Sequence, residues 1–481
     1  MKKLKILFLV PPAVEGTHPA ERSSGCTRVV YPTPNIYELQ VAACVRQTGF
    51  DVSYWDCVNH PLSEETLLNR IGKEAFDVVL MWTVNLSVAN DIHICQRIHS
   101  QFPTVWIMML GPGAGWFYTD CLKDEHTIVI HGEPEQTVVE FLNLLAADSD
   151  WHDISGISYL LNGAIKRNGM RKLMKDLDAL PMPARDLIAD TDYRNPKLKV
   201  SPYTTMVTSR NCPFHCIYCV PSSLTFAREI ENRHYTGKKP PIAFRSEEKV
   251  TEEIALLHAQ GYKAIGFVDD NFIWNEKRTR AICEALRQYQ MVWSCQARVD
   301  AVTEPIAKML GESGCQAVDL GVESFNDDIL QFIHKDITSR QIYQAIDWLK
   351  KYHVPVKLNI LIGTSPLETP DTIRDTIKKA KKLKADQLMI NIVSPFPGTE
   401  FYSMAKENGW IIDNQYRPTD VQKESILNYP HLSARKMESL LFWGNLSYYL
   451  SPRFVFTQIR RFRSWKDFFH ALKALKIKLF G

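Results

Sequence analysis

Short apolar runs alternate with amphipathic stretches along this chain, and they do so in two series. The first opens with "KILFLV" and continues through "DVSYWD", "FDVVLMW", "VWIMML" and "TIVI". Helix-like spacing fills the gaps, from Asn35 to Thr48, from Glu64, from Ala89 to His99 and from Glu135. Repeated strand and helix of this kind predict an open, mostly parallel sheet with helices on both faces. Sheets of that type bind ligands at the carboxyl ends of their strands. Here those ends carry Pro11-Pro12, Trp82-Thr83, "GPGAGW" from Gly111 and "HGEPE" from His131.

The second series begins at "YTTMVTS" and runs through "AIGFVDD", "VWSCQARVD", "QAVDLGVES", "VPVKLNILIG" and "DQLMINIVS". Helical stretches are expected around Ser246 to Ala259, Glu276 to Tyr289, Glu304 to Glu312, Ser339 to Tyr352 and Thr369 to Leu383. Six strand-helix units predict a barrel or part of one, with its chemistry where the strands end. Between the series, Asp150 to Pro202 is richer in Pro, Asn, Gly and charge, includes "LPMPARDL", and reads as a linker wrapped on a surface. The expected division is residues 1–149, a linker 150–199, a second domain 200–430 and a basic, amphipathic helical region 431–481.

Length and composition fit this picture: 481 residues suit two or three domains with sizeable apolar cores. No run of about 18 apolar residues is present, and the stretch Met1 to Pro12 ends in Pro-Pro without a small-residue cleavage site, which favours the cytoplasm. Net charge is +3, yet Leu450 to Gly481 holds eight Lys and Arg against one Asp. From Arg453, Val455, Ile459, Phe462, Trp465, Phe469, Leu472, Leu475 and Leu479 fall at helical steps with cations between them. Two readings stand for that tail: a helix packed on the protein with solvated cations, or a peripheral contact with an anionic membrane. Nothing in the chain calls for nucleic acid.

Eleven cysteines are present, and three, Cys212, Cys216 and Cys219, lie within the eight residues "CPFHCIYC" directly after the first strand of the second series. The other eight are scattered as reduced core residues would be. Structural zinc sites close with four ligands, and the nearest other cysteine is Cys283. Three thiolates on one short loop instead suit an iron-sulfur cluster with one iron left open. Asn211, Pro213 and His215 make the stretch too polar for a core strand.

In these residues the chain resembles radical S-adenosylmethionine (radical SAM) enzymes, whose C-x3-C-x2-C motif "CPFHCIYC" reproduces, with Tyr218 before the last cysteine. The resemblance continues through "FRSEEKVTEEI", "GFVDDNF", "WSCQARVD", "GVES" and "PFPGTEFY", in that order. The first series is similar to the cobalamin-binding domain that precedes this core in the branch of the magnesium-protoporphyrin ester cyclase and the class B methyltransferases, in "PTPNIYELQVAACVRQTGFDVSYWD", "FDVVLMWT" and "IVIHGEPEQTVVEFL". The resemblance implies an α/β protein: a Rossmann-like (flavodoxin-like) cobalamin-binding domain, a partial (β/α)6 radical SAM barrel and a helical C-terminal tail.

It also implies a site. Cys212, Cys216 and Cys219 would hold a 4Fe-4S cluster as its metal ligands, and S-adenosylmethionine would occupy the open iron. Tyr218 would support the adenine through its backbone, Glu323 would meet the ribose or methionine end, and Arg298 would lie near the methionine carboxylate; the plain alternative for the two charged residues is an ion pair of the barrel interior. Asp269 and Asp270 would face cofactor or substrate, or one would cap the following helix. Gly111, Gly113, Gly132 and Glu133 would border the corrin. No catalytic residue is assigned. The family's Gly-Gly-Pro-His is replaced by "GPGAGW", so no histidine ligand to cobalt is expected from that loop, and "GTSPLET" replaces Gly-x-Pro-Gly-Glu-Thr. The activity implied is reductive cleavage of S-adenosylmethionine for chemistry at an unactivated carbon of a small-molecule or lipid-linked substrate. That chemistry is cobalamin-dependent methyl transfer, or oxidative cyclisation or rearrangement, and its electron comes from a one-electron reductant such as flavodoxin or ferredoxin. A non-catalytic cobalamin or cluster sensor is the reading from another class.

Overall fold

The computed structural model describes residues 2–14, 19–23, 31–417, 419–452, 454 and 455. The chain forms two compact units: Met1–Pro213 with Val220–Gln296 and Met309–Ala317, and Phe214–Cys219 with Ala297–Lys308 and Val318–Gly481. The tail singled out above lies outside the described residues except for Phe454 and Val455.

The first series becomes β1 (Lys5–Val10), β2 (Asp51–Asp56), β3 (Val78–Trp82), β4 (Trp106–Leu110) and β5 (Thr127–Ile130), and it is extended by β6 (Ile157–Leu161) and β7 (Ala164–Arg167). The sheet order is β2-β1-β3-β4-β5-β6-β7, parallel through β5 and antiparallel beyond it. Alternation along each strand divides the core between its two faces: Ile6, Phe8, Leu80 and Met108 lie in one apolar cluster, and Leu7, Leu9, Val79 and Ile107 in the other. Helices Ile36–Gln47 and Glu64–Glu74 start at Asn35 and Ser63, whose side chains accept from backbone N–H groups of their first turns.

Two findings differ from the reading of the sequence. The supposed linker contributes β6 and β7 to the sheet. Its signal is "LLNGAI", in which Asn162 and Gly163, both at positive φ (51° and 74°), make the two-residue turn that hairpins favour. The second finding is the helix Ser223–Thr236, which follows the cysteine loop and buries Ser223 to Asn232 on every side. A helix that is buried all round carries no amphipathic period to be seen.

The second series becomes β8 (Tyr203–Met206), a short ladder of β9 (Ser209–Arg210) with β10 (Ala243–Phe244), β11 (Ala264–Phe267), β12 (Val292–Arg298), β13 (Cys315–Glu323), β14 (Val356–Ile362) and β15 (Gln387–Ile392). The six longer strands form one sheet in the order β15-β14-β13-β12-β11-β8. The expected helices are found within one or two residues: Glu247–Ala259, Glu276–Gln288, Glu304–Glu312, Ser339–Lys351 and Pro370–Lys382. Thr369 and Thr372 close a reciprocal capping box on the last of them, so the unusual "GTSPLET" loop still ends in a well-formed helix start.

Candidate functional site

The cysteines lie on the loop after β9, each partly exposed. Backbone bonds hold part of that loop in the second unit: Ile217 N donates to Ile333 O at 3.2 Å, and Phe401 N donates to Ile217 O at 2.9 Å. Among the described residues no three His, Cys, Asp or Glu side chains are gathered as for a single metal ion. A cluster of several irons makes no such demand, because each thiolate takes its own iron.

A guanidinium lies beside Cys216. Arg298, at the end of β12, is 6% exposed and places Nη1 3.8 Å from Cys216 Sγ, with its guanidinium 3.5 Å from the centre of the Phe214 ring. Its other nitrogens donate to both carboxylate oxygens of Asp300, at 2.9 and 3.0 Å, and to the backbone oxygen of Lys335 at 2.6 Å. Lys335 in turn is buried and pairs with Glu323 at 2.9 Å, while its Nζ donates to the Tyr218 hydroxyl at 3.4 Å. Burial works against the Lys335 ammonium, but Glu323 and then Cys216 hold its pKa above the ordinary value. Arg298 and Glu323 thus do not pair with each other. Each has its own partner, and Lys335 joins the two.

The backbone is bent to make this arrangement. Between Gly321 and Glu323 the register against β14 shifts by one residue, and Glu323 sits at φ 62°. A Cβ on Gly321 would stand 2.7 Å from Lys335 Nζ and 2.8 Å from Glu323 Oε1, so a larger residue there would displace the tips of this pair. His334 and Asp336, on either side of Lys335, are also left-handed, at 52° and 54°. Lys335 was missed in the sequence because a single Lys between two helices carries no pattern of its own.

Asp269 and Asp270, at the end of β11, bind the protein itself. Asp269 accepts from Thr208 N, Thr208 Oγ1 and Ser209 Oγ, the last two at 2.8 and 2.6 Å, and burial pushes its pKa up to about 6. Asp270 accepts from Ser222 N and Thr225 Oγ1, both at 2.6 Å, and so ties down the start of the helix Ser223–Thr236. The following helix is capped by Asn275.

In the first unit, the glycines expected to border a corrin face protein. "GPGAGW" is a short helix, Gly111–Trp116, buried through Gly115 and packed on Ser223–Thr236. At Gly111 (φ 88°) a Cβ would meet Thr83 O at 2.7 Å; at Gly113 it would meet the Val84 carbonyl carbon at 2.5 Å. Gly132 is required by its own backbone, at φ 69°. Glu133 accepts from Arg210 Nη1 at 2.7 Å and from Met174 N at 2.6 Å, and lies 3.0 Å from Arg228 Nε, while Arg210 also pairs with Glu135. All four of these charged side chains are buried. The neighbouring His131 bonds Ser158 Oγ at 2.7 Å, and burial takes its pKa down to about 3.

Comparison with known proteins agrees with this architecture. The Radical SAM superfamily profile matches residues 206–380. The chain is 30% identical over 465 residues to an uncharacterised methyltransferase of Pyrococcus horikoshii, covering 95% of each. It is 23% identical over 420 residues to the anaerobic magnesium-protoporphyrin IX monomethyl ester cyclase of Rubrivivax gelatinosus, covering 83% of this chain and 69% of the cyclase. Among solved structures, the cobalamin-dependent S-adenosylmethionine radical enzyme OxsB, with aqua-cobalamin and S-adenosylmethionine bound, superposes with a TM-score of 0.69 over 99% of this chain and 71% of OxsB. Identity there is 14%, so the likeness is one of fold.

Proposed function

The chain belongs to the radical SAM superfamily and is an enzyme, and from that premise we propose that Cys212, Cys216 and Cys219 hold a 4Fe-4S cluster beside which Tyr218, Arg298, Glu323 and Lys335 bind S-adenosylmethionine. The observation that carries this reading is the chain of contacts from Cys216 through Arg298 and Lys335 to Glu323. A zwitterionic amino acid needs one carboxylate for its ammonium and cations for its carboxylate, and Glu323, Arg298 and Lys335 supply both. A bound cluster would supply the electron for reductive cleavage of S-adenosylmethionine; the protein's part would be to orient the amino acid and keep both its ends neutralised through Glu323, Arg298 and Lys335.

The reaction we infer is methyl transfer to an unactivated carbon, cobalamin-dependent, with support from the resemblance to the P. horikoshii methyltransferase and to OxsB. Gly111, Gly113 and Glu133 are engaged by protein atoms, so a corrinoid would be held by other groups of the first domain, and no step is assigned to it. Reduced, reconstituted protein incubated with S-adenosylmethionine should release 5'-deoxyadenosine above a Cys216→Ala control; none would sink the reading. Methylated product with S-adenosylhomocysteine means methyl transfer, whereas 5'-deoxyadenosine without an added methyl means cyclisation or rearrangement.

A peripheral membrane contact has one observation in its favour. Helices Pro370–Lys382 and Ala434–Tyr449 enclose a groove of about 680 Å³ with Ile377, Leu440 and Trp443 as its apolar part and Arg374, Lys378, Lys381, Lys382 and Lys436 along it. Trp443 is 62% exposed. An apolar floor with an exposed indole and a ring of cations complements an anionic lipid surface. No helix among the described residues is long and apolar enough to cross a membrane.

A further inference from the structure

Asn211 stands immediately before Cys212 and is 1% exposed. Its backbone sits at φ 75°, a conformation Asn tolerates better than most residues. Two contacts hold it there, each anchored in turn. Its N–H donates to Thr225 Oγ1 at 3.1 Å, and Thr225 is itself tied to Asp270 at 2.6 Å. Its side-chain oxygen accepts from Arg228 Nη1, and Arg228 is anchored by Glu133. A guanidinium has no acceptor, so the atom facing Arg228 is Oδ1 and the amide cannot be flipped. The Nδ2 group is therefore fixed as well, and it is buried without a hydrogen-bond acceptor. Buried amide groups left in that state are rare and call for an explanation.

We propose that Asn211 Nδ2 donates a hydrogen bond to a sulfide of the cluster at its Cys212 corner, and thereby raises the cluster's reduction potential. The proposal rests on the cluster reading above. Donors to the sulfurs are one of the protein's levers on such potentials, because they stabilise the more negative reduced form more than the oxidised form. Arg228 and Glu133 act through Asn211 and are positioning residues.

Asn211→Gly tests this, since glycine takes φ 75° without strain and the change removes the Nδ2 donor together with the acceptor of Arg228. Anaerobically reconstituted wild type and variant are compared for iron and sulfide content and for midpoint potential, read by EPR of samples poised with mediators. The expected result is equal iron content and a lower midpoint, with the oxidised-to-reduced ratio at a fixed potential up roughly tenfold, about 59 mV for a one-electron couple. Equal midpoints overturn the proposal. Should the variant hold no cluster, wild-type protein carrying nitrogen-15 only in asparagine decides the matter: pulsed EPR of its reduced cluster should show a nitrogen-15 coupling, and its absence overturns the proposal. A wild type that binds no iron overturns both this and the cluster reading, and the iron assay identifies that case.

Discussion

Glu38, in the helix Ile36–Gln47, offers a test of the first domain that needs no cofactor. It is 2% exposed, accepts from the Tyr54 hydroxyl at 2.6 Å, and burial pushes its pKa from 4.5 up to about 8 against the opposing pull of that bond and of Arg22. A carboxyl group raised in the folded state binds its proton more tightly there than in the unfolded chain. Its contribution to stability is therefore complete below about pH 4.5 and is lost as pH rises toward about 8. At about 1.4 kcal/mol per pH unit, the whole span amounts to roughly 5 kcal/mol, and the interval from pH 5.5 to 7.5 to about 3 kcal/mol. Glu38→Gln keeps an acceptor for Tyr54 and removes the titration. Urea unfolding followed by tryptophan fluorescence at a series of pH values should give a wild-type stability that falls across this interval by about 3 kcal/mol more than the variant's. Asp269, raised to about 6, contributes a fall of the same sign in both proteins, so the difference isolates Glu38. Parallel pH profiles would refute the argument.

Removing one partner of a buried ion pair leaves the other charge uncompensated, so Lys335→Met should lower unfolding free energy by about 3–5 kcal/mol and weaken S-adenosylmethionine binding in equilibrium dialysis of the reconstituted enzyme. Gly113→Ala should cost about 1–3 kcal/mol in thermal unfolding, because the added methyl meets the Val84 backbone, and an unchanged Tm would show that this helix is free to shift. Charge reversal at Lys378, Lys381 and Lys382 together should abolish flotation with vesicles containing phosphatidylglycerol at low salt; flotation equal to wild type would remove the groove from the membrane reading.

Much of this architecture was legible because a doubly covered sheet leaves a plain trace: "FDVVLMW" and "VWIMML" became β3 and β4 with hardly a shift of boundary. The cysteine triplet was legible for a different reason, since its spacing is local and needs no tertiary information. What stayed hidden depends on long-range pairing. Arg228, Glu229 and Glu231 look like the polar face of a surface helix, yet each is buried against a partner distant in sequence or across a turn. The glycines of "GPGAGW" were read as room for a ligand; sequence does not distinguish that from room for the chain's own Thr83–Val84 backbone. That neither Asp269 nor Asp270 caps the following helix, and that Asp270 instead holds Ser222 and Thr225, is hidden for the same reason: a contact with a distant segment leaves no local signal.

The irregularity at the end of β13 has a consequence for how this enzyme can change over generations. Because one surplus residue between Gly321 and Glu323 sets which way the carboxylate faces, the loss of a single codon there would return the strand to even alternation and turn Glu323 away from Lys335. Every charged side chain of the site would survive, and the descendant would differ by one missing apolar residue alone. Inheritance of the function thus hangs on the count of residues in this strand as much as on their kind.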